Sequence, residues 1–176
     1  MNEVTLSDAF SSPTAAWLAA QLEPIGRLLL AGALGAALGV ERTIRQRAAG
    51  FRTNILIGLG SALFTLISIE MAAANGGDPT RIPSQVVTGI GFLGGGAILR
   101  EQGDIRGLTT AATIWVNAAI GMAAGAGYYL LAITATISAL IVLTTFLRIE
   151  QKLTKYRDDY QSPDDMIVRP RDDKHA

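Results

Sequence analysis

The sequence predicts an all-α integral membrane bundle of about five transmembrane helices, with the N-terminus outside and the C-terminus cytoplasmic. Three observations carry this. The chain is 49% hydrophobic and only 17% charged, with 19 glycines, and its mean hydropathy is +0.33, which leaves too few polar residues to cover a water-facing surface. Its apolar residues gather into five stretches, each close to the roughly 20 residues that cross about 30 Å of hydrocarbon. Its arginines alternate from one side to the other between those stretches, and short loops rich in Lys and Arg stay in the cytoplasm.

The elements follow in order. Residues 1–24 form an external segment that carries Glu3, Asp8 and Glu23 without any Lys or Arg, a pattern that lacks the basic start of a cleavable signal peptide. Within it, Ser12 reads as an N-cap and Pro13 as a first-turn residue. Trp17, Leu18 and Leu22 follow at helical spacing, so a short helix lying on the outer surface is expected. The spans fall at about 25–40, 53–71, 82–99, 108–126 and 128–147, within a membrane domain covering 25–147. The first is short and contains Arg27, whose long side chain can reach the headgroups. No stretch alternates polar with apolar as a barrel strand would, and irregular backbone cannot face lipid, so helices are the remaining solution.

Arg42, Arg45, Arg47 and Arg52 fill the first loop, Arg100 and Arg106 the third, and Arg148, Lys152, Lys155 and Arg157 follow the last span. The intervening sides hold only Arg81 beside Asp78, and the uncharged turn at 124–127. Residues 148–176 read as a cytoplasmic helix extension and a mobile tail, because 151–176 holds six basic and six acidic residues and few large apolar ones.

Several function classes fall away. Cysteine is absent, which removes thiolate metal sites and cysteine nucleophiles. The single histidine, His175, sits in the polar tail, and the formal net charge of zero gives no case for nucleic acid. No Ser-His-Asp set, paired carboxylates or metal-ligand constellation is present, so the reading is not an enzyme and needs no cofactor.

The third span contains TGIGFLGGGAIL. Gly89, Gly91 and Gly94 match the G-x-G-x-x-G dinucleotide pattern by letter, but no strand leads into it. Helix contact explains the glycines better: Gly91 with Gly95, Gly35 with Gly39, and Gly121 with Gly125 are small-xxx-small pairs. A local break between Gly89 and Gly96, exposing carbonyls to an ion, is the functional variant.

Ionisable residues near membrane depth are costly unless paired. Arg27 and Glu70 lie near the outer ends of the first two spans and are expected to pair. Glu41 with Arg42, and Arg52 with Asn54, form a second polar layer at the cytoplasmic ends, next to Thr53. Glu41 and Glu70 lie at opposite faces and cannot share one ion, which argues against a dehydrated magnesium site. Gln85, Thr88 and Asn117 could pass a hydrated ion, or hydrogen-bond between helices. Free amides at Gly107, Thr109 and Thr110 could bind an anion or a lipid phosphate, or be capped within the chain.

Three ordered motifs then meet: GVERTIRQRAAGFRTNILIGLGSAL, QVVTGIGFLGGGAIL and GLTTAATIWVNAAIGMAAGAGYY. Over about 27–146 the chain resembles the membrane domain of the MgtC/SapB family. The signature positions fall on Glu41, Arg42, Gly50, Arg52 and Thr53, then on Gly89, Gly91, Phe92, Gly94 and Gly96. The third block supplies Gly107, Leu108, Thr109, Thr110, Ala111 and Trp115. The resemblance implies a bacterial inner-membrane protein of about five spans, linked to growth under magnesium limitation and, in some pathogens, to survival inside host cells. It further implies regulation of membrane energetics or ion homeostasis, including control of the proton-translocating ATP synthase. Longer members carry a soluble C-terminal domain that this sequence is too short to contain. The expected partners are the lipid bilayer, a second copy of the chain or a larger membrane complex. The competing expectation is a small-ion or magnesium transporter, with a lipid- or anion-sensing module using Arg42 and Arg52 as a third.

Overall fold

In the computed structural model, which describes residues 13–101 and 104–146, five helices form an all-α bundle. They are α1 (Pro13–Ile44), α2 (Phe51–Asn75), α3 (Arg81–Gly96), α4 (Leu108–Gly125) and α5 (Tyr129–Ile141), with a small hairpin of β1 (Leu99–Glu101) and β2 (Asp104–Arg106) between α3 and α4. Three segments are long and apolar enough to cross a membrane: Gln21–Ile44, Phe51–Asn75 and Leu108–Gly125. The 16 residues of α3 span about 24 Å, and the last apolar helix, Tyr129–Thr145, is also shorter. The expected cytoplasmic tail lies outside the described residues. The chain divides into two compact units, the first running through Leu140 and the second beginning at Ile141; the described part of the second is a π-helical turn, Val142–Phe146.

Differences from expectation have local causes. The surface helix is not separate: α1 is continuous from Pro13 for 32 residues and runs through Pro24. Pro24 donates no N–H to the ladder and its ring crowds the preceding turn, yet the helix continues through it. Helix α3 is unbroken from Gly89 to Gly96, so the variant in which a local break there would expose carbonyls to an ion does not occur. It stops at Gly96 rather than Leu99, where Ala97 N–H donates to Leu93 and Gly94 carbonyls, both at 3.1 Å. Leu99 then pairs with Arg106 in the antiparallel hairpin, an element the sequence reading did not anticipate.

The turn from α2 into α3 follows from its residues. Gly76 takes φ 69° and returns its N–H to Ala72 O at 2.9 Å, the left-handed exit that glycine permits. Asp78 Oδ1 then accepts from Thr80 N at 2.8 Å and Thr80 Oγ1 at 2.7 Å, and Ser68 Oγ ties the loop down by donating to Pro79 O at 2.8 Å. Those two donors hold the Asp78 carboxyl below its ordinary pKa.

Helices α1, α2 and α4 make the tight core, and glycine is the reason they can. A Cβ added at Gly35 would lie 2.5 Å from Asn54 O, and one at Gly39 2.7 Å from Phe51 Cα. From α2, Gly58 meets Ala31 O at 2.7 Å, and from α4, Gly121 meets Gly58 O at 2.5 Å and Gly125 meets Ala62 O at 2.6 Å. Without hydrophobic drive between helices in lipid, such backbone-to-backbone approach is a main source of attraction. Ala31, Leu38, Ala62, Ile120 and Ala124 fill what remains and are buried. Helix α3 packs beside this trio through Ile90 and Gly94, with Ile90 joining Ile57, Ile114 and Ala118.

Candidate functional site

The bundle has two polar ends and one open helix. At the first end, the last turn of α1 meets the starts of α2 and α4. Arg42 is only 2% exposed, and its Nη2 donates to Thr110 Oγ1 at 2.7 Å. Glu41, also buried, turns to its own helix: its Oε1 lies 2.6 Å from Arg45 Nε. That is an ion contact without directed hydrogen-bond geometry, so both carboxylate oxygens remain enclosed and lack a hydrogen-bonding partner, as does Arg42 Nε. Buried charges of this kind persist only where the surroundings compensate them.

One turn further in, Asn54 and Asn117 are fully buried against each other. Asn117 Nδ2 donates to Asn54 O at 2.7 Å and to Asn54 Oδ1 at 3.1 Å. Asn54 Nδ2 donates to the carbonyls of Ala49 and Gly50, which closes the α1–α2 turn over the pair. Within the expected polar layer, Glu41 contacts Arg45, because a helix places i and i+4 on one face, and Asn54 bonds across to Asn117 on α4. Arg52 and Thr53 are exposed.

At the opposite end, Arg27 does not reach Glu70. Its Nη2 lies 2.5 Å from Glu23 Oε1 and its Nη1 donates to Gly125 O at 3.0 Å, so the guanidinium caps the C-terminus of α4. Glu70 is exposed.

The open helix is α3. Among the described residues, no atom lies within 4 Å of a Cβ placed on Gly89, Gly91, Gly95 or Gly96, so the glycine contact expected at Gly91 and Gly95 is not made there. Ser84, Thr88, Gly91 and Gly95 are all exposed, and their spacing of four, three and four residues places them on one face. On the adjacent side, Gln85, Gly89, Phe92 and Gly96 line a groove of about 840 Å³ between α3 and α2, floored by Ile57 and Ile114, with Thr53 and Ser61 among its few polar residues. Phe92 is 84% exposed at its edge. The three neutral groups suggested as an ion path are thus apart: Asn117 inside the core, Gln85 in the groove, Thr88 on the outer face. Trp115 is exposed as well, and Thr109 O accepts from Thr113 Oγ1 at 2.7 Å. Among the described residues no three His, Cys, Asp or Glu side chains gather as metal ligands.

Sequence reasoning missed the hydroxyl partner of Arg42 and the amide partner of Asn54. The available signal was the buried-face position of Thr110 and Asn117, seven residues apart on one stripe of α4.

Comparison with known proteins adds the relatives. The model of the MgtC family matches residues 28–152. The chain is 47% identical over 137 residues to the Escherichia coli K12 protein named "Putative magnesium transporter YhiD", covering 74% of this chain and 64% of that one. An uncharacterized protein of Synechocystis is 44% identical over 131 residues, covering 71% and 55%. Protein MgtC of Salmonella typhimurium LT2 is 50% identical over 110 residues, covering 62% and 46%. The chain therefore spans about half to two thirds of the length of these relatives. No solved structure matches it.

Proposed function

The chain belongs to the MgtC family, and from that premise we propose that it is a non-enzymatic, multi-pass protein of the bacterial inner membrane that serves magnesium homeostasis by helix contact with a membrane complex or a second copy of itself. In this reading the Arg42 end faces the cytoplasm, following the arginine alternation. One observation carries the mechanism. The bundle uses glycines to lock α1, α2 and α4 together, while on α3 the Ser84–Thr88–Gly91–Gly95 face is exposed and, among the described residues, nothing packs against Gly91 or Gly95. The proton-translocating ATP synthase is one complex such a face could engage.

Bulk on that face tests the reading. Gly91→Leu and Gly95→Leu should leave the monomer folded, since both sites are open, yet abolish co-purification of the partner or second copy and growth on limiting magnesium. Intact association and growth in both variants would sink it.

A second reading rests on the printed name of the Escherichia coli relative and on Gln85 in the α2–α3 groove: transport of magnesium or another small ion along that groove. Flux in proteoliposomes that disappears with Gln85→Leu would favour it. Purified chain that moves no cation above empty vesicles would remove it.

A further inference from the structure

Three glycines keep the space between α2 and α3 open. A Cβ added at Gly60 on α2, or at Gly89 or Gly96 on α3, would meet no described atom within 4 Å, and all three line the groove of about 840 Å³. Of its sixteen lining residues only Thr53, Ser61 and Gln85 carry polar side chains, a lining suited to hydrocarbon. The rim is open to the bilayer, since Leu56, Phe64, Phe92 and Leu93 are exposed.

The dimensions select among apolar occupants. Along α2 the groove runs from Thr53 to Phe64, 11 residues and about 16 Å. One leaflet contributes roughly 15 Å to a hydrocarbon core of about 30 Å. Spread over this length, the volume is a section of about 50 Å², below the roughly 80 Å² of a helix 10 Å across. A hydrocarbon chain enters such a groove, and a helix does not.

The charge differs between its two ends. The short turn between Asn75 and Arg81 sends α3 back along α2, so the start of α2 and the hairpin after α3 share one end. There, residues 41–52 and 98–106 hold six arginines against Glu41, Glu101 and Asp104, a balance of +3. At the other end, residues 70–82 hold Glu70, Asp78 and Arg81, a balance of −1. Arg52 directly precedes the lining residue Thr53, and Arg100 follows Ala97 by three residues. Both are exposed, and neither belongs to the ion pairs formed among the described residues. Basic residues at a membrane surface attract anionic lipid.

We propose that the α2–α3 groove holds an acyl chain of an anionic phospholipid from the leaflet at the Arg42 end, with Arg52 and Arg100 at its headgroup. The chain fills the space that Gly60, Gly89 and Gly96 leave and braces α3 against α2. This site is separate from the exposed Ser84–Thr88–Gly91–Gly95 face, and either can stand without the other.

The full chain is reconstituted in nanodiscs of phosphatidylcholine and phosphatidylglycerol, released into mild detergent, and its retained lipid read by native mass spectrometry. The native chain should keep one phosphatidylglycerol in preference to phosphatidylcholine. Gly60→Leu and Gly89→Leu put bulk into the groove from opposite walls and should each cut retention roughly tenfold, the loss of about two buried CH₂ groups. Arg52→Gln combined with Arg100→Gln should remove the preference for phosphatidylglycerol, while Arg47→Gln, in the α1–α2 turn outside the groove, should keep it. If the leucine variants fail to fold, the double arginine variant, changed at two exposed sites, decides alone. Full retention in both leucine variants, equal retention of the two lipids by the native chain, or the same loss of preference in Arg47→Gln as in the double variant overturns the proposal. So does a second copy or another protein that the native chain holds and Gly60→Leu releases.

Discussion

Substituting Gly121 by alanine separates the closed core from the open helix. The added methyl would sit 2.5 Å from Gly58 O and 3.0 Å from Ser61 Cβ, and the nearest of these is backbone that cannot rotate away. Helices α2 and α4 would have to part by close to an ångström along a seam that also holds Gly125 against Ala62. Overpacking of this kind costs about 1–3 kcal/mol, partly offset by up to about 1 kcal/mol from the better helix propensity of alanine. The same substitution at Gly91 or Gly95 meets open space, so only the propensity gain applies there and the sign reverses. Steric trapping of the unfolded chain in lipid discs measures both. Gly121→Ala should shift the unfolding equilibrium toward the unfolded chain several-fold or more, while Gly91→Ala and Gly95→Ala should be neutral or slightly more stable. Equal destabilisation at all three positions, or none at Gly121, would refute the division of the glycines into used and unused.

Other expectations follow from single contacts. Asn117→Leu should lose about 1 kcal/mol, near the upper end of interhelical hydrogen bonds in lipid, and a double-mutant cycle with Asn54→Leu should recover most of it as coupling, whereas additive losses would contradict the bond. Gly107→Ala must adopt φ 91° and drive its methyl into Ala97 O, so it should destabilise by about 2 kcal/mol or more, read by thermal unfolding. Asp78 titrates below its unfolded value, so its contribution is present above about pH 4 and fades as pH falls through the lower folded value. Asp78→Asn, which keeps an acceptor but cannot titrate, should show a flatter acid limb in hydrogen exchange of the α2–α3 turn. An unchanged limb would mean that Asp78 does not stabilise that turn.

The helices and their contact seams were legible because they depend on period. Gly35 with Gly39, and Gly121 with Gly125, are pairs that a helix must put on one face, and they are the positions where the backbones meet. Rotational facing between helices is not periodic information. That is why Arg27 was matched to Glu70 by depth, although Glu23 on its own helix and the Gly125 carbonyl were nearer to hand. The Arg42–Thr110 bond joins residues 68 apart, a pairing no local signal encodes. The hairpin was illegible because each strand has three residues, too few to show a period of two. Gly91 and Gly95 carry the same letter pattern as the used glycines, and only the assembled bundle distinguishes an occupied face from an open one.

That open face is the central claim, and photo-crosslinking in intact bacterial membranes tests it most directly. A photoreactive residue at position 91 or 95 should yield a discrete adduct with a second copy or another membrane protein, while the same group at exposed Leu29 on α1 should label lipid alone. Labelling at 91 and 95 indistinguishable from that at Leu29, with no protein adduct from any of them, would contradict the account.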